Sequence, residues 1–130
     1  MKFMNFEKDQ EIGIKKIDIQ HKEIINSLNH LYKIKNHKKT EILEYLSRLL
    51  GQMKIHFDSE ESIMKENKFV NFISHKLEHD RALSKYQNYY NFLKSSKDEF
   101  NPDILLSLKH WLESHLEKKD KKLQILGSKN

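Results

Sequence analysis

Between residues 56 and 79 the chain reads HFDSEESIMKENKFVNFISHKLEH, with His56 four residues before Glu60 and His75 four residues before His79. Residues four apart on a helix lie one turn above each other on the same face, so each pair can aim its donor atoms at one point. A reversal over the polar break at Glu66 to Lys68 would set the two pairs facing each other. Any fold for this chain has to bring two helices together around that point.

A chain of 130 residues suits one domain with one core. Three Gly and one Pro leave too little turn chemistry for the many reversals of an all-β fold, so the composition points to helices. At 37% hydrophobic, the apolar residues must be gathered on narrow stripes, and a bound metal would supplement a modest core. The absence of Cys removes disulfide frameworks, zinc ribbons and iron–sulfur sites, which leaves nitrogen and oxygen as the metal ligands. The opening MKFMNFEKDQ has no apolar h-region and no run approaches the length of a membrane span, so neither a signal peptide nor a membrane segment is expected, and the cytoplasm is the expected location. Net charge is +5, from 24 basic and 19 acidic residues mixed along the chain. The basic runs KIKNHKK and KKDKK are interrupted and read as solvated helix faces, so no nucleic-acid partner is expected.

Residues 1–17 carry Phe3, Met4, Phe6, Ile12, Ile14 and Ile17 without a sustained helical period, interrupted by Gly13, and read as an arm packed over the rest. Asp18 is a candidate N-cap for a first helix to about Asn36, with His21, Ile24, Ile25, Leu28, Leu31 and Tyr32 facing inward. Thr40 is the candidate cap of a second helix to about Glu66, with Ile42, Leu46, Leu49, Met53, His56, Glu60 and Ile63 on its inner face. The third runs from about Val70 to Ser95 through Phe72, His75, His79, Ala82, Tyr86, Tyr89 or Tyr90, and Leu93. Asn101-Pro102 opens a fourth helix to about Leu126, with Gly127 as its stop and Leu105, Leu108, Leu112, His115, Leu116 and Leu123 inward. Short links make an up-down-up-down antiparallel four-helix bundle the simplest all-α arrangement. The expectation is one domain over 1–130, with an arm at 1–17 and a bundle at 18–126.

Five histidines and one glutamate thus occupy inward positions. A single buried histidine is usually a satisfied core residue, but five would each need partners for both ring nitrogens, and the inner stripes offer few other polar groups. Metal ligation satisfies one nitrogen and leaves the other N–H for a carbonyl or acid. His30, His37 and His110 fall off the stripes and read as solvent-facing. Six ligands are too many for one tetrahedral zinc and suit two octahedral ions sharing bridges. Glu60 can bridge with its two oxygens; for a second acid on the fourth helix, periodicity leaves Glu113, Glu117 and Asp120 open, since five residues beyond His115 turn the helix by roughly 140°.

Together, IDIQHKEI at 17–24, HFDSEESIM at 56–64, HKLEH at 75–79 and WLESHLEKKD at 111–120 follow the pattern H…HxxxE…HxxxH…HxxxxD, and in this the chain resembles the hemerythrins from about Gly13 to Asp120. The resemblance selects Asp120 as the second acid. It implies that His75, His79 and His115 hold one iron and His21 and His56 the other. Glu60, Asp120 and an oxo or hydroxo group would bridge the two. It further implies that the iron with two histidines keeps an open position, that the ligand taken there is O2, and that Ile24, Phe57, Trp111, Leu112 and Leu116 line its pocket. Phe6 stands where many relatives have Trp, and Leu123 where Tyr is common; both bear on the pocket and on autoxidation rate. Ferritin-like di-iron bundles use Glu-x-x-His, which this chain lacks, and a His-rich shell favours binding O2 over cleaving it. The expected function is therefore a non-enzymatic non-heme di-iron protein that reversibly binds O2 for storage, local delivery or sensing. The alternative is a di-iron enzyme or scavenger acting on O2, peroxide or nitric oxide, and a third reading is an iron-storage or purely structural bundle.

Overall fold

The computed structural model describes residues 2–6 and 11–118, with side chains to Leu116. Four helices account for most of them: α1 (Lys15–Lys33), α2 (Lys39–Glu66), α3 (Phe72–Ser95) and α4, described over Asp103–Lys118. Inter-helix bonds define the topology. Gln20 meets Ser59 and Ser27 meets Gln52, so α1 and α2 are antiparallel. Glu61 meets His79 at one end of α2–α3, and the Lys39 ammonium donates to the Ser96 carbonyl at the other. Between α3 and α4, His79 faces His115 while the Tyr86 and Ser107 hydroxyls bond 3.1 Å apart. The result is an up-down-up-down antiparallel four-helix bundle. Among the described residues, no helix is long and apolar enough to cross a membrane.

Apolar residues recurring at helical spacing form the core, with Leu28 and Leu31 of α1, Leu49 and Met53 of α2, Leu93 of α3, and Leu105 and Leu108 of α4 fully buried. Each such side chain contributes about 1.5–3 kcal/mol of transfer free energy. The N-terminal arm runs antiparallel to α1. Met4 is buried and exchanges two hydrogen bonds with Asn29, its N–H donating at 2.7 Å and its carbonyl accepting at 2.8 Å, while Phe3 stacks on Tyr32 at 4.2 Å. At the other end of the arm Ile12 joins Ile17 and Met64 in a second apolar cluster.

Several local details differ from the sequence reading. The first helix begins at Lys15, three residues before Asp18. Asp18 is not its N-cap: its carboxylate reaches back to accept from the N–H groups of Ile12 and Gly13, at 2.9 and 3.1 Å. The arm is thereby tied to the first turn, and Gly13 has a φ of 85°, a conformation that glycine adopts without strain. Thr40 is likewise not a cap, since α2 starts at Lys39 and Lys38 precedes it. Asn101 does cap α4, accepting from the Asp103 N–H at 3.0 Å. Val70 lies outside α3 and is exposed, and Tyr32 is exposed beneath Phe3. The expected C-terminal features, Leu123, Leu126 and Gly127, lie outside the described residues.

The reversal between α2 and α3 forms at the polar break. The Phe69 N–H donates to the Met64 carbonyl at 2.9 Å and the Lys68 N–H to the Lys65 carbonyl at 3.2 Å, the paired bonds of a Schellman motif. Lys68 supplies the left-handed residue, with φ of 51°. Phe69 packs against the cluster that contains Met64, which supplies the apolar contact that accompanies such a cap.

Candidate metal centre

Because α2 and α3 reverse at Lys68, the His56/Glu60 and His75/His79 pairs meet in the bundle interior. Alongside them α1 contributes His21 and α4 contributes His115. All six are buried, and Glu60 has no solvent exposure. Among the described residues every buried ionisable side chain other than Tyr86 belongs to this set.

The six divide into two groups that share Glu60. In one, ligand atoms of Glu60, His75, His79 and His115 lie within 4.8 Å of one another; in the other, those of His21, His56 and Glu60 do. The Glu60 carboxylate is split between them. Its Oε1 lies against His56 Nε2 and 3.7 Å from His21 Nε2, whereas Oε2 lies 3.2 Å from His75 Nε2 and 4.0 Å from His79 Nε2. His79 Nε2 and His115 Nε2 are 3.0 Å apart.

Outer contacts orient the rings. His79 Nδ1–H donates to Glu61 Oε2 at 2.9 Å, which leaves the Nε2 lone pair directed inward. Burial raises the Glu61 carboxyl above the ordinary carboxylate range, partly opposed by the Lys76 ammonium 3.8 Å away. His56 Nδ1–H donates to Gln20 Oε1 at 2.8 Å, and His115 Nδ1 lies 3.7 Å from Glu78 Oε2. Lone pairs and carboxylate oxygens that converge in a water-poor interior repel one another unless a proton or a cation lies between them. The donor set is entirely nitrogen and oxygen, which fits iron, zinc or manganese. The residues present thus fit a metal site whose two candidate ligand groups share Glu60.

Aromatic rings back the histidines. Phe57 stacks on His79 at 4.0 Å with an interplanar angle of 5°, Trp111 stacks on His115 at 4.5 Å and 12°, and the two aromatics meet edge to face at 5.7 Å. Ile24, Phe57, Leu112 and Leu116 are buried, and Trp111 is half-buried at the edge of the same core. Phe6 of the arm approaches the His21 ring at 6.2 Å.

Six of the seven sequence-predicted ligands are therefore brought together. The seventh, Asp120, lies outside the described residues, as does the side chain of Glu117. Of the histidines read as solvent-facing, His37 and His110 are exposed, but His30 is half-buried edge-on against Tyr45. Sequence reasoning missed the outer residues Gln20, Glu61 and Glu78. They lie off the inner stripes, and only their adjacency to His21, Glu60 and His79 along the chain hinted at them.

The comparisons agree with this geometry. Residues 12–124 match the model of the hemerythrin HHE cation binding domain. A bacteriohemerythrin of Aquifex aeolicus is 34% identical over 119 residues, covering 87% of this chain and 88% of that one. One from Methylococcus capsulatus is 30% identical over 105 residues, covering 80% of each. A crystal structure of wild-type hemerythrin superposes with a TM-score of 0.89 at 27% identity, covering 94% of this chain and 95% of that one. That of a hemerythrin point mutant superposes with a TM-score of 0.93 at 26% identity, over 98% and 99% of the two chains. With the family's domain model spanning residues 12–124 and a relative 34% identical across most of both chains, the chain belongs to the hemerythrin family.

Proposed function

We propose that this protein reversibly binds O2 at a non-heme di-iron centre and is not an enzyme, serving storage, local delivery or sensing. One observation carries the reading above others: the two oxygens of Glu60 face two different histidine groups, as a carboxylate bridging two ions must. His75, His79 and His115 would ligate one iron, His21 and His56 the other, and Asp120 would supply the second bridge. The first group offers one more nitrogen than the second, which directs an added ligand to the ion beside His21 and His56. When bound, the iron pair would supply two electrons reversibly to O2.

The remaining residues protect that exchange. Ile24, Phe57, Trp111, Leu112 and Leu116 present apolar surface around the histidines, which excludes water and charged reductants. Stacking of Phe57 and Trp111 on His79 and His115 holds those rings in one orientation. Glu61 and Gln20 accept the outward N–H of His79 and His56.

The test is the optical spectrum of anaerobically reduced protein before and after admitting air, with iron counted per chain. A colourless reduced form that gains charge-transfer bands in air and loses them when O2 is removed, at about two irons per chain, is the expected result. Immediate conversion to a permanently ferric form would replace this reading with an oxidase, peroxidase or scavenging role on the same scaffold.

A further inference from the structure

Beside the histidines lies a hydrogen-bond relay whose direction is determined link by link. The Ser59 hydroxyl donates its only proton to the Ile55 carbonyl one turn back, at 2.9 Å. Ser59 Oγ must then act as acceptor toward Gln20, whose Nε2 donates to it at 3.1 Å. That contact orients the Gln20 amide and turns its Oε1 to His56 Nδ1, 2.8 Å away. A carbonyl oxygen cannot donate, so His56 Nδ1 carries the proton. The opposite amide orientation would need the Ser59 proton and would give up its bond to Ile55.

We propose that Gln20, oriented by Ser59, is a positioning residue that holds His56 in its Nδ1–H tautomer and thereby directs the Nε2 lone pair into the half of the site shared with His21. The inference rests on the di-iron reading above and names what prepares one half of that centre. It also separates the two halves chemically. His79, in the three-histidine group, is anchored by the Glu61 carboxylate, whereas His56 is anchored by a neutral amide. A carboxylate acceptor increases the basicity of the ring it holds more than an amide does, so the ion beside His56 has the weaker donor. That is the ion to which the ligand counts direct an incoming molecule.

The experiment compares wild type with Gln20→Met, which fills similar space without an acceptor, and Gln20→Glu, which keeps an acceptor at the same reach. Long-range proton–nitrogen NMR of the histidine rings in metal-free protein reads the tautomer directly. Wild type and Gln20→Glu are expected to show His56 protonated at Nδ1, and Gln20→Met a mixture of tautomers. Anaerobic titration with cobalt(II) is expected to show two sites in wild type. In Gln20→Met one of them weakens by about 10–100-fold while the other holds, and Gln20→Glu restores it. Should Gln20→Met fail to fold, Gln20→Ala removes the acceptor with a residue of higher helix propensity. An unchanged His56 tautomer in the acceptor-free variant, or a loss not rescued by Gln20→Glu, overturns the proposal. Fewer than two cobalt sites in wild type would instead overturn the di-iron reading, which the metal-free NMR measurement does not depend on.

Discussion

Two layers of the bundle, two helical turns apart, are built from the same four inner stripes and behave as opposites. One contains His21, His56, His79 and His115 around Glu60; seven residues along each helix, the other contains Leu28, Leu49, Tyr86 and Leu108. Both layers are buried to a similar degree. In the largely apolar layer, where the Tyr86 hydroxyl keeps a partner in Ser107, burial is itself the stabilising event, since each side chain leaves water and gains close contacts. In the polar layer burial opposes folding unless each nitrogen and oxygen finds a partner, and converging lone pairs make a cation the natural one. The chain thereby separates its stability from its candidate binding chemistry by layer rather than by helix: every helix serves both.

Substitution should move one property in one layer and a different property in the other. The largest effect is expected from Glu60→Leu. Removing the shared carboxylate should abolish binding of both ions, measured as metal per chain after reconstitution. In the same variant, metal-free stability measured in urea should change far less than metal content does, because packing of the apolar side chain offsets the lost contacts of the carboxylate with His56 and His75. Two ions retained in Glu60→Leu would end the distinction between layers.

Removing metal from wild type with a chelator is next, and should lower unfolding stability by about 4 kcal/mol for each of the two ions when the metal had been present at a thousand times its dissociation constant. The chelator should leave Glu60→Leu unaffected. The converse change is Leu49→Ala in the apolar layer. It should cost about 2–5 kcal/mol in metal-free and metal-loaded protein alike, with metal content per chain intact. A large fall in metal content there would mean that the layers are coupled.

Two smaller changes, away from both layers, calibrate the scale. Lys68→Gly should raise the urea midpoint by the equivalent of about 1 kcal/mol, because Lys68 occupies the left-handed position of the α2–α3 reversal at φ 51°. Gly51 lies mid-helix on the exposed face of α2, and a Cβ added there would meet nothing within 4 Å. Gly51→Ala should therefore stabilise by about 0.5–1 kcal/mol, read from the same denaturation curves, with metal content unchanged.

Much of this architecture was legible beforehand because it is written at the spacing of a helical turn. The stripe Ile42, Leu46, Leu49, Met53, His56, Glu60 places two candidate ligands on the inner face of α2 with no knowledge of the other helices, and all six are buried. Helix ends were less legible. Asp18 and Thr40 have the chemistry of caps, but Asp18 bonds backward to the arm and α2 starts ahead of Thr40. Tyr32 fits the inner stripe of α1 by spacing and is nonetheless exposed, because Phe3 of the arm offers it a stacking surface outside the bundle. His30 departs from its expected exposure because Tyr45 of α2 covers one edge of its ring.

The information carried along the amino-acid sequence is local. It set four amphipathic helices, the reversal between α2 and α3, and two ligand pairs each aimed at one point, since these depend on residues three to five apart. Which oxygen of Glu60 faces which histidine, how Phe57 and Trp111 back the rings, and the reach of Gln20 to His56 all come from the packing of helix on helix. Gln20 and His56 are 36 positions apart, on different helices. No periodicity along one helix records the rotation of its neighbour. That rotation is set by side-chain packing across the whole bundle, and the orientation of the candidate ligands follows from it.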